Sequence, residues 1–85
     1  MNVFLERARL LMQQSRFELA EEQLRLSLAE QEDPGLAHAL LSLCLLQRDR
    51  YDQAQQEAQT AIGEDPENAM GFYALATVYH ERNRL

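Results

Sequence analysis

The sequence predicts an all-α fold of five helices, arranged as stacked antiparallel pairs. Its 85 residues include only three glycines and two prolines, and they are rich in Ala, Leu, Gln, Glu and Arg, which favour helices. An arginine followed by a large apolar residue recurs at an interval of 34 residues, at Arg16-Phe17, Arg50-Tyr51 and Arg84-Leu85. A fixed interval of this length is typical of helical repeats that stack into a solenoid.

Aligning the copies at this interval places similar side chains in the same column. Unit positions are counted from Met1 and restart after every 34 residues. Positions 4, 8 and 11 share one helical face, and positions 17, 20, 24 and 27 share another, which indicates two helices folded together. Small residues at positions 8, 20 and 27 let the two backbones approach closely. The matched columns are Phe4, His38 and Phe72; Ala8, Ser42 and Ala76; Leu11, Leu45 and Tyr79; Phe17 and Tyr51; Ala20 and Ala54; and Leu28 and Ile62.

Turn and cap residues set the expected boundaries. Ser15, Asp49 and Asn83 fall at the turn within each pair. Their short side chains can cap the next helix, and Asn or Asp tolerates a left-handed turn. Asp33-Pro34 and Asp65-Pro66 mark the boundary between units, because Asp caps helices and Pro suits their first position. We expect helices at about 2–14, 17–31, 34–47, 51–63 and 66–82.

The distribution of apolar residues separates inner helices from an outer one. The helix at 34–47 and the segment 69–79 are apolar on nearly every side, which predicts that both are packed between neighbours. The helix at 51–63 has one apolar stripe and carries glutamines on its other faces, so it should lie on the outside.

Charge and composition limit the class of partner. The net charge is −6, whereas a nucleic-acid-binding protein needs a positive face. No apolar stretch is long enough to span a membrane, and charged residues interrupt the N-terminal segment where a signal peptide would be apolar. Cys44 is the single cysteine, so no intrachain disulfide calls for an oxidising compartment. We therefore predict a cytoplasmic domain with no nucleic-acid or membrane partner.

The columns together resemble the tetratricopeptide repeat family. The second copy carries Leu41, Ser42, Leu45, Tyr51, Ala54, Ala61 and Pro66, and the third carries Phe72, Leu75, Ala76 and Tyr79. In the first copy Ala8, Leu11, Phe17 and Ala20 fit, whereas Arg7 and Ser27 depart from the pattern. The resemblance covers nearly the whole chain and implies a right-handed α-solenoid of antiparallel helix pairs. Its units would span about 1–34, 35–68 and, as a first helix only, 69–85. Because the last helix lacks a polar outer face, we expect a fragment of a longer array.

No catalytic, cofactor-binding or metal-binding residues are predicted. His38 and Cys44 are six residues apart, which places them on different helical faces, and a metal site needs more ligands. We interpret His38 as replacing an aromatic residue in its packing column and Cys44 as a small buried hydrophobic residue.

The resemblance implies a non-catalytic scaffold that binds a protein or peptide. In the family, the first helices of successive units line a concave groove, which here would suit an amphipathic helix or an apolar peptide. The matching positions are Leu5, Arg9, Met12, Gln13, Leu36, Leu40, Leu43, Gln47, Tyr73, Thr77 and His80. A core position remains an open alternative for Leu36, Leu40 and Leu43. Some members grip a C-terminal carboxylate with cationic and amide side chains. Arg9 is the sole cation at the corresponding positions here, which argues against such a clamp; these positions are Leu5, Arg9, Leu40, Met70 and Ala74.

The alternative is a structural module that self-associates as a weak homodimer. Its contact surface would be the apolar face of the last helix, because an exposed apolar patch marks an interaction site. That face comprises Phe72, Leu75, Ala76 and Tyr79.

Overall fold

The computed structural model describes residues 3–84, and this range contains five α-helices and no strand. The all-α prediction is confirmed. The helices are α1 (Val3–Gln13), α2 (Phe17–Ala29), α3 (Pro34–Gln47), α4 (Tyr51–Glu64) and α5 (Ala69–Arg82). The predicted helix start at residue 2 and the apolar partner of Arg84, Leu85, lie outside the described residues.

Three of the turns between helices contain a residue in the left-handed conformation. Ser15, Gln31 and Asp49 have φ values of 60°, 56° and 61°. In each of these turns the backbone amide of the following residue donates a hydrogen bond to the carbonyl oxygen five residues before it. This bond satisfies backbone groups at the end of the preceding helix. The left-handed prediction is confirmed for Asp49, and Ser15 adopts the same conformation although none was predicted for it. It is wrong for Asn83, which has φ −74° and simply continues the right-handed geometry of α5.

The capping predictions at the turns within pairs are wrong. Arg16 and Arg50 occupy the N-cap positions of α2 and α4, and neither side chain makes a capping hydrogen bond. Asp49 instead accepts a hydrogen bond from the Tyr51 hydroxyl at 3.3 Å. Ser15 and Asp49 adopt the left-handed conformation one residue before the N-cap. At that position their side chains do not cap the next helix.

The two Asp-Pro boundaries behave differently. Pro34 occupies the start of α3 as predicted, but Asp33 has φ 43° and its side chain does not cap the helix. At the second boundary α5 begins later than predicted, at Ala69. Asn68 is its cap, because the Oδ1 atom of Asn68 accepts a hydrogen bond from the Met70 amide at 2.8 Å.

Helix α3 is the centre of the fold, because α2, α4 and α5 all pack against it. It contributes more buried residues than any other described helix, which confirms the prediction that it is sandwiched. Helix α4 buries its alanine stripe and leaves its glutamine-rich faces exposed, as predicted. The prediction that α5 is packed between neighbours is wrong for the side that faces away from α3 and α4. Phe72, Tyr73 and Tyr79 are exposed, because only α3 and α4 pack against α5 in the described chain.

Small residues let the two helices of each pair approach closely. The Ser42 hydroxyl of α3 donates a 2.6 Å hydrogen bond to the backbone carbonyl of Ala54 in α4. Both residues are fully buried, and so are Ala8 and Ala20 at the equivalent positions of the first pair. The second pair therefore makes the contact predicted from unit positions 8 and 20, and the same two positions are buried in the first pair.

An ion pair links the first helix pair to the second. The Glu21 carboxylate of α2 accepts hydrogen bonds from Arg25 at 2.9 Å and from Arg48, after α3, at 2.5 Å. Burial alone would raise the pKa of Glu21, but the hydrogen bonds and charges of the two arginines outweigh it and hold the pKa below its usual value.

Two glycines provide a matched test of the packing between α3 and the α4–α5 turn. A Cβ at Gly35 would lie 2.8 Å from the Cβ of Asp65, whereas a Cβ at Gly63 would meet open space. We expect Gly63→Ala to raise the free energy of unfolding by about 0.5 kcal/mol through better helix propensity. Gly35→Ala should lower it by about 1 kcal/mol or more through overpacking. Urea denaturation measures the free energy of unfolding of both variants. Equal changes in the two variants would contradict the close approach at Gly35.

The Glu21 ion pair predicts a pH-dependent stability. A carboxyl whose pKa is lower in the folded state stabilises the fold above its unfolded pKa, and this contribution is lost as pH falls through its folded pKa. Glu21→Gln should therefore cost about 1 kcal/mol at neutral pH and nearly nothing at about pH 2. Urea denaturation at both pH values measures this difference. The control is Glu22→Gln, which makes the same change at an exposed neighbouring residue. An equal loss at both pH values would exclude the ion pair as its cause.

Candidate partner-binding groove

The side of α3 that faces away from α4 is the candidate binding surface. His38 and Ser42 contact α4, the former through its Nδ1 atom, 2.6 Å from the Oε1 atom of Glu57. Residues at unit positions 2, 6, 9 and 13 lie on the opposite side of the helix. On α3 these are Leu36, Leu40, Leu43 and Gln47.

The repeat register separates accessible first-helix positions from covered ones. Position 9 stays at least partly accessible in every copy, at Arg9, Leu43 and Thr77, and so does position 13, at Gln13 and Gln47. With the partly exposed Leu36, these residues define what we call the groove face: Arg9, Gln13, Leu36, Leu43, Gln47 and Thr77.

Two predicted groove residues belong to the core. Leu5 and Leu40 are only 2% and 4% exposed, and both lie in the main apolar cluster. Met12 is half-buried against the same cluster. Leu5 and Leu40 therefore support the first helices from inside and do not present side chains to a ligand.

Tyr73 and His80 are exposed for a different reason. Tyr73 is 60% exposed, but the other residues at its unit position, Leu5 and Ala39, are buried. His80 shares its position with the half-buried Met12 and the buried Leu46. These two positions face neighbouring helices inside the stack, so Tyr73 and His80 are open because no described helix packs beyond α5.

The groove face is apolar in its middle and polar around it. Leu36 and Leu43 supply the apolar part, whereas Arg9, Gln13 and Gln47 supply the polar part. The Thr77 hydroxyl donates to the Tyr73 carbonyl oxygen at 2.7 Å, which leaves mainly its methyl group for a ligand.

Two residues on this side of α5 were left out of the predicted set of groove residues. Met70 and Glu81 are half-exposed and share unit positions with Leu36 and Gln47. The 34-residue register alone could have identified them, because it relates each to a residue that was already chosen.

Of the two residues considered for metal binding, His38 contacts Glu57 and Cys44 is buried. Burial raises the pKa of the Cys44 thiol to about 12, so this thiol is a poor nucleophile and, as predicted, a buried hydrophobic residue. Residues 3–84 contain no group of three His, Cys, Asp or Glu side chains placed to hold a metal ion. Over the same range no helix combines the length and apolar character needed to cross a bilayer.

A family model described as the tetratricopeptide repeat matches the chain twice, over residues 5–69 and 45–85. The two matches together cover nearly all of the chain, and the five helices fit a helical-repeat solenoid. The chain therefore belongs to the tetratricopeptide repeat family. Repeats of this family generally mediate protein–protein interactions and are typically non-catalytic. No curated protein and no solved structure matches the chain.

The different placement of Leu5 and Arg9 predicts opposite outcomes for the same substitution. Leu5→Glu would bury an unpaired carboxylate in the core and should lower the free energy of unfolding by about 3 kcal/mol or more. Arg9→Glu replaces an exposed side chain, so the free energy of unfolding should change by less than about 0.5 kcal/mol. Thermal unfolding followed by circular dichroism distinguishes them. A well-folded Leu5→Glu variant would contradict the core assignment of Leu5.

Proposed function

We propose that this chain is a non-catalytic scaffold that binds a protein or peptide along the groove face. One observation carries the proposal. Positions 9 and 13 stay accessible in successive first helices although α3 is otherwise buried on almost every side. A surface repeated in register can contact an extended or helical ligand at regular intervals. We take residues 1–85 as one domain of two helix pairs and the first helix of a third.

The chemistry of the groove face favours an amphipathic ligand. Leu36 and Leu43 lie seven residues apart on one side of α3, which is two helical turns. Apolar side chains spaced by one or two turns in a ligand helix would fit this stripe. Polar ligand groups would face Arg9, Gln13 and Gln47, whose side chains are exposed.

A carboxylate clamp is not part of the proposal. Of the positions that resemble such clamps, Leu5, Leu40 and Ala74 are buried and Met70 is apolar. Arg9 alone does not provide the several donors that hold a terminal carboxylate. A buried, unpaired Cys44 suits a reducing compartment, so we also propose that the protein is cytoplasmic.

The test begins with peptides selected from a displayed random library against the chain at residues 1–85. Isothermal titration then compares the wild type with Leu43→Gln and Arg9→Glu, both on the groove face. The control is Gln59→Glu, an exposed position on α4. We expect at least about tenfold weaker binding for Leu43→Gln, equivalent to about 1.4 kcal/mol, and no change for the control.

The contrary result is equally clear. Selected peptides that bind both groove variants as tightly as the wild type, with all proteins folded by circular dichroism, would exclude the groove face. Peptides weakened only by the control substitution would place the binding surface on α4 instead.

A second candidate function is self-association through α5. Phe72 and Tyr79 are 51% and 45% exposed, although Leu45, which shares a unit position with Tyr79, is only 1% exposed. An apolar face that is covered in one repeat and open in the next favours a further helix as its partner.

A further inference from the structure

We propose that the ligand of the groove face is a basic amphipathic peptide, whose lysine or arginine residues lie over the turns that precede α3 and α5. The proposal rests on the proposed function and adds to it the charge and the orientation of the ligand. It depends on four carboxylates that we call the acidic margin: Glu30, Asp33, Glu64 and Glu67.

The acidic margin repeats at the same interval as the groove face. Glu30 and Glu64 share unit position 30, and Asp33 and Glu67 share unit position 33. All four side chains are exposed, and none of them forms an ion pair within residues 3–84. Successive repeats therefore present the same unpaired charges to a ligand that crosses them.

The acidic margin adjoins one end of the groove face. Asp33 lies three residues before Leu36 of the groove face, and Glu67 occupies the equivalent position before α5. The two turns lie side by side, since a Cβ at Gly35 would be 2.8 Å from the Cβ of Asp65. A ligand that covers Leu36 and extends past the start of α3 would therefore meet carboxylates from both turns.

The segments that carry the acidic margin contain no compensating lysine or arginine. The sequence has neither residue between Arg25 and Arg48 or between Arg50 and Arg82, and its net charge is −6. Unpaired carboxylates beside an apolar strip attract cationic side chains and disfavour anionic ones. Charge complementarity therefore selects a basic ligand at this end of the groove face.

Helix stability does not account for two of these carboxylates. Glu30 is the C-cap of α2, and Glu64 is the last residue of α4. The C-terminus of a helix carries a partial negative charge, so a carboxylate at that end lowers the stability of the helix. A role in attracting a basic partner explains why both repeats carry one there.

The single arginine of the groove face sets the orientation of the ligand. Arg9 is at unit position 9, about two helical turns beyond unit position 2, where Leu36 lies. Its side chain is exposed and forms no ion pair within residues 3–84. Cationic residues of the ligand therefore belong over the acidic margin, and its neutral or acidic residues belong near Arg9.

Peptides selected from a displayed random library against the chain provide the first test. Groove-face peptides are those that bind Leu43→Gln more weakly than the wild type. We expect these peptides to be enriched in lysine and arginine over the unselected library, and their binding to weaken as salt is added. Groove-face peptides without this enrichment would overturn the inference and leave the proposed function intact. A selection that yields no groove-face peptide would overturn both.

Matched removal of charge then locates the attraction. Asp33→Asn with Glu67→Gln removes two carboxylates from the acidic margin, and Asn tolerates the left-handed conformation of Asp33. The control, Glu18→Gln with Glu22→Gln, removes two exposed carboxylates from α2 and changes the net charge equally. Isothermal titration of a selected groove-face peptide should show several-fold weaker binding to the first variant and unchanged binding to the control. Equal binding to the two folded variants would overturn the inference, because net charge alone would then account for any loss.

Discussion

In the second helix pair a small residue of the first helix meets the second helix at close range, and the equivalent residues of the first pair, Ala8 and Ala20, are fully buried. In the second pair this contact includes a buried hydrogen bond from the Ser42 hydroxyl to the Ala54 carbonyl oxygen, at 2.6 Å. Larger side chains at these positions would force the helices apart, because helix axes approach closely only where the intervening side chains are small. The contact therefore fixes which side of the first helix is covered. The opposite side, which carries the groove face, is fixed by the same contact.

Stacking then decides how much of that opposite side a ligand can reach. Helix α3 packs against α2, α4 and α5, and each of these helices takes up part of its surface. The accessible remainder is a narrow strip that contains Leu36, Leu43 and Gln47. In a stack where each unit contacts only its neighbours, binding residues are those that neither neighbour covers. Under the proposed function, ligand binding and stability use different sides of the same helix.

The sequence predicts the helices well where the 34-residue register is regular. The bounds of α1 to α4 agree with the prediction within two residues, since both the apolar columns and the turns repeat. The start of α5 was misplaced, because Asp65-Pro66 looks like Asp33-Pro34 but Asn68 provides the cap. Capping depends on backbone geometry at the turn, and residue type alone does not determine that geometry.

The groove was harder to predict than the fold. Position in the repeat indicates the side of a helix on which a residue lies, but its exposure depends on what packs there. Leu5 and Tyr73 share a unit position, yet they are 2% and 60% exposed. The difference comes from the presence or absence of a neighbouring helix, which neither residue encodes by itself.

The most direct test of this account compares one substitution at two equivalent positions. Ser42 and Ala76 share unit position 8, but Ser42 is fully buried against α4 and Ala76 is exposed. Urea unfolding at low protein concentration would measure the stability of Ser42→Leu and Ala76→Leu. If close helix approach sets the fold, Ser42→Leu loses about 3 kcal/mol or more, or fails to fold, and Ala76→Leu changes by less than about 0.5 kcal/mol. Similar stabilities for the two variants would contradict the account.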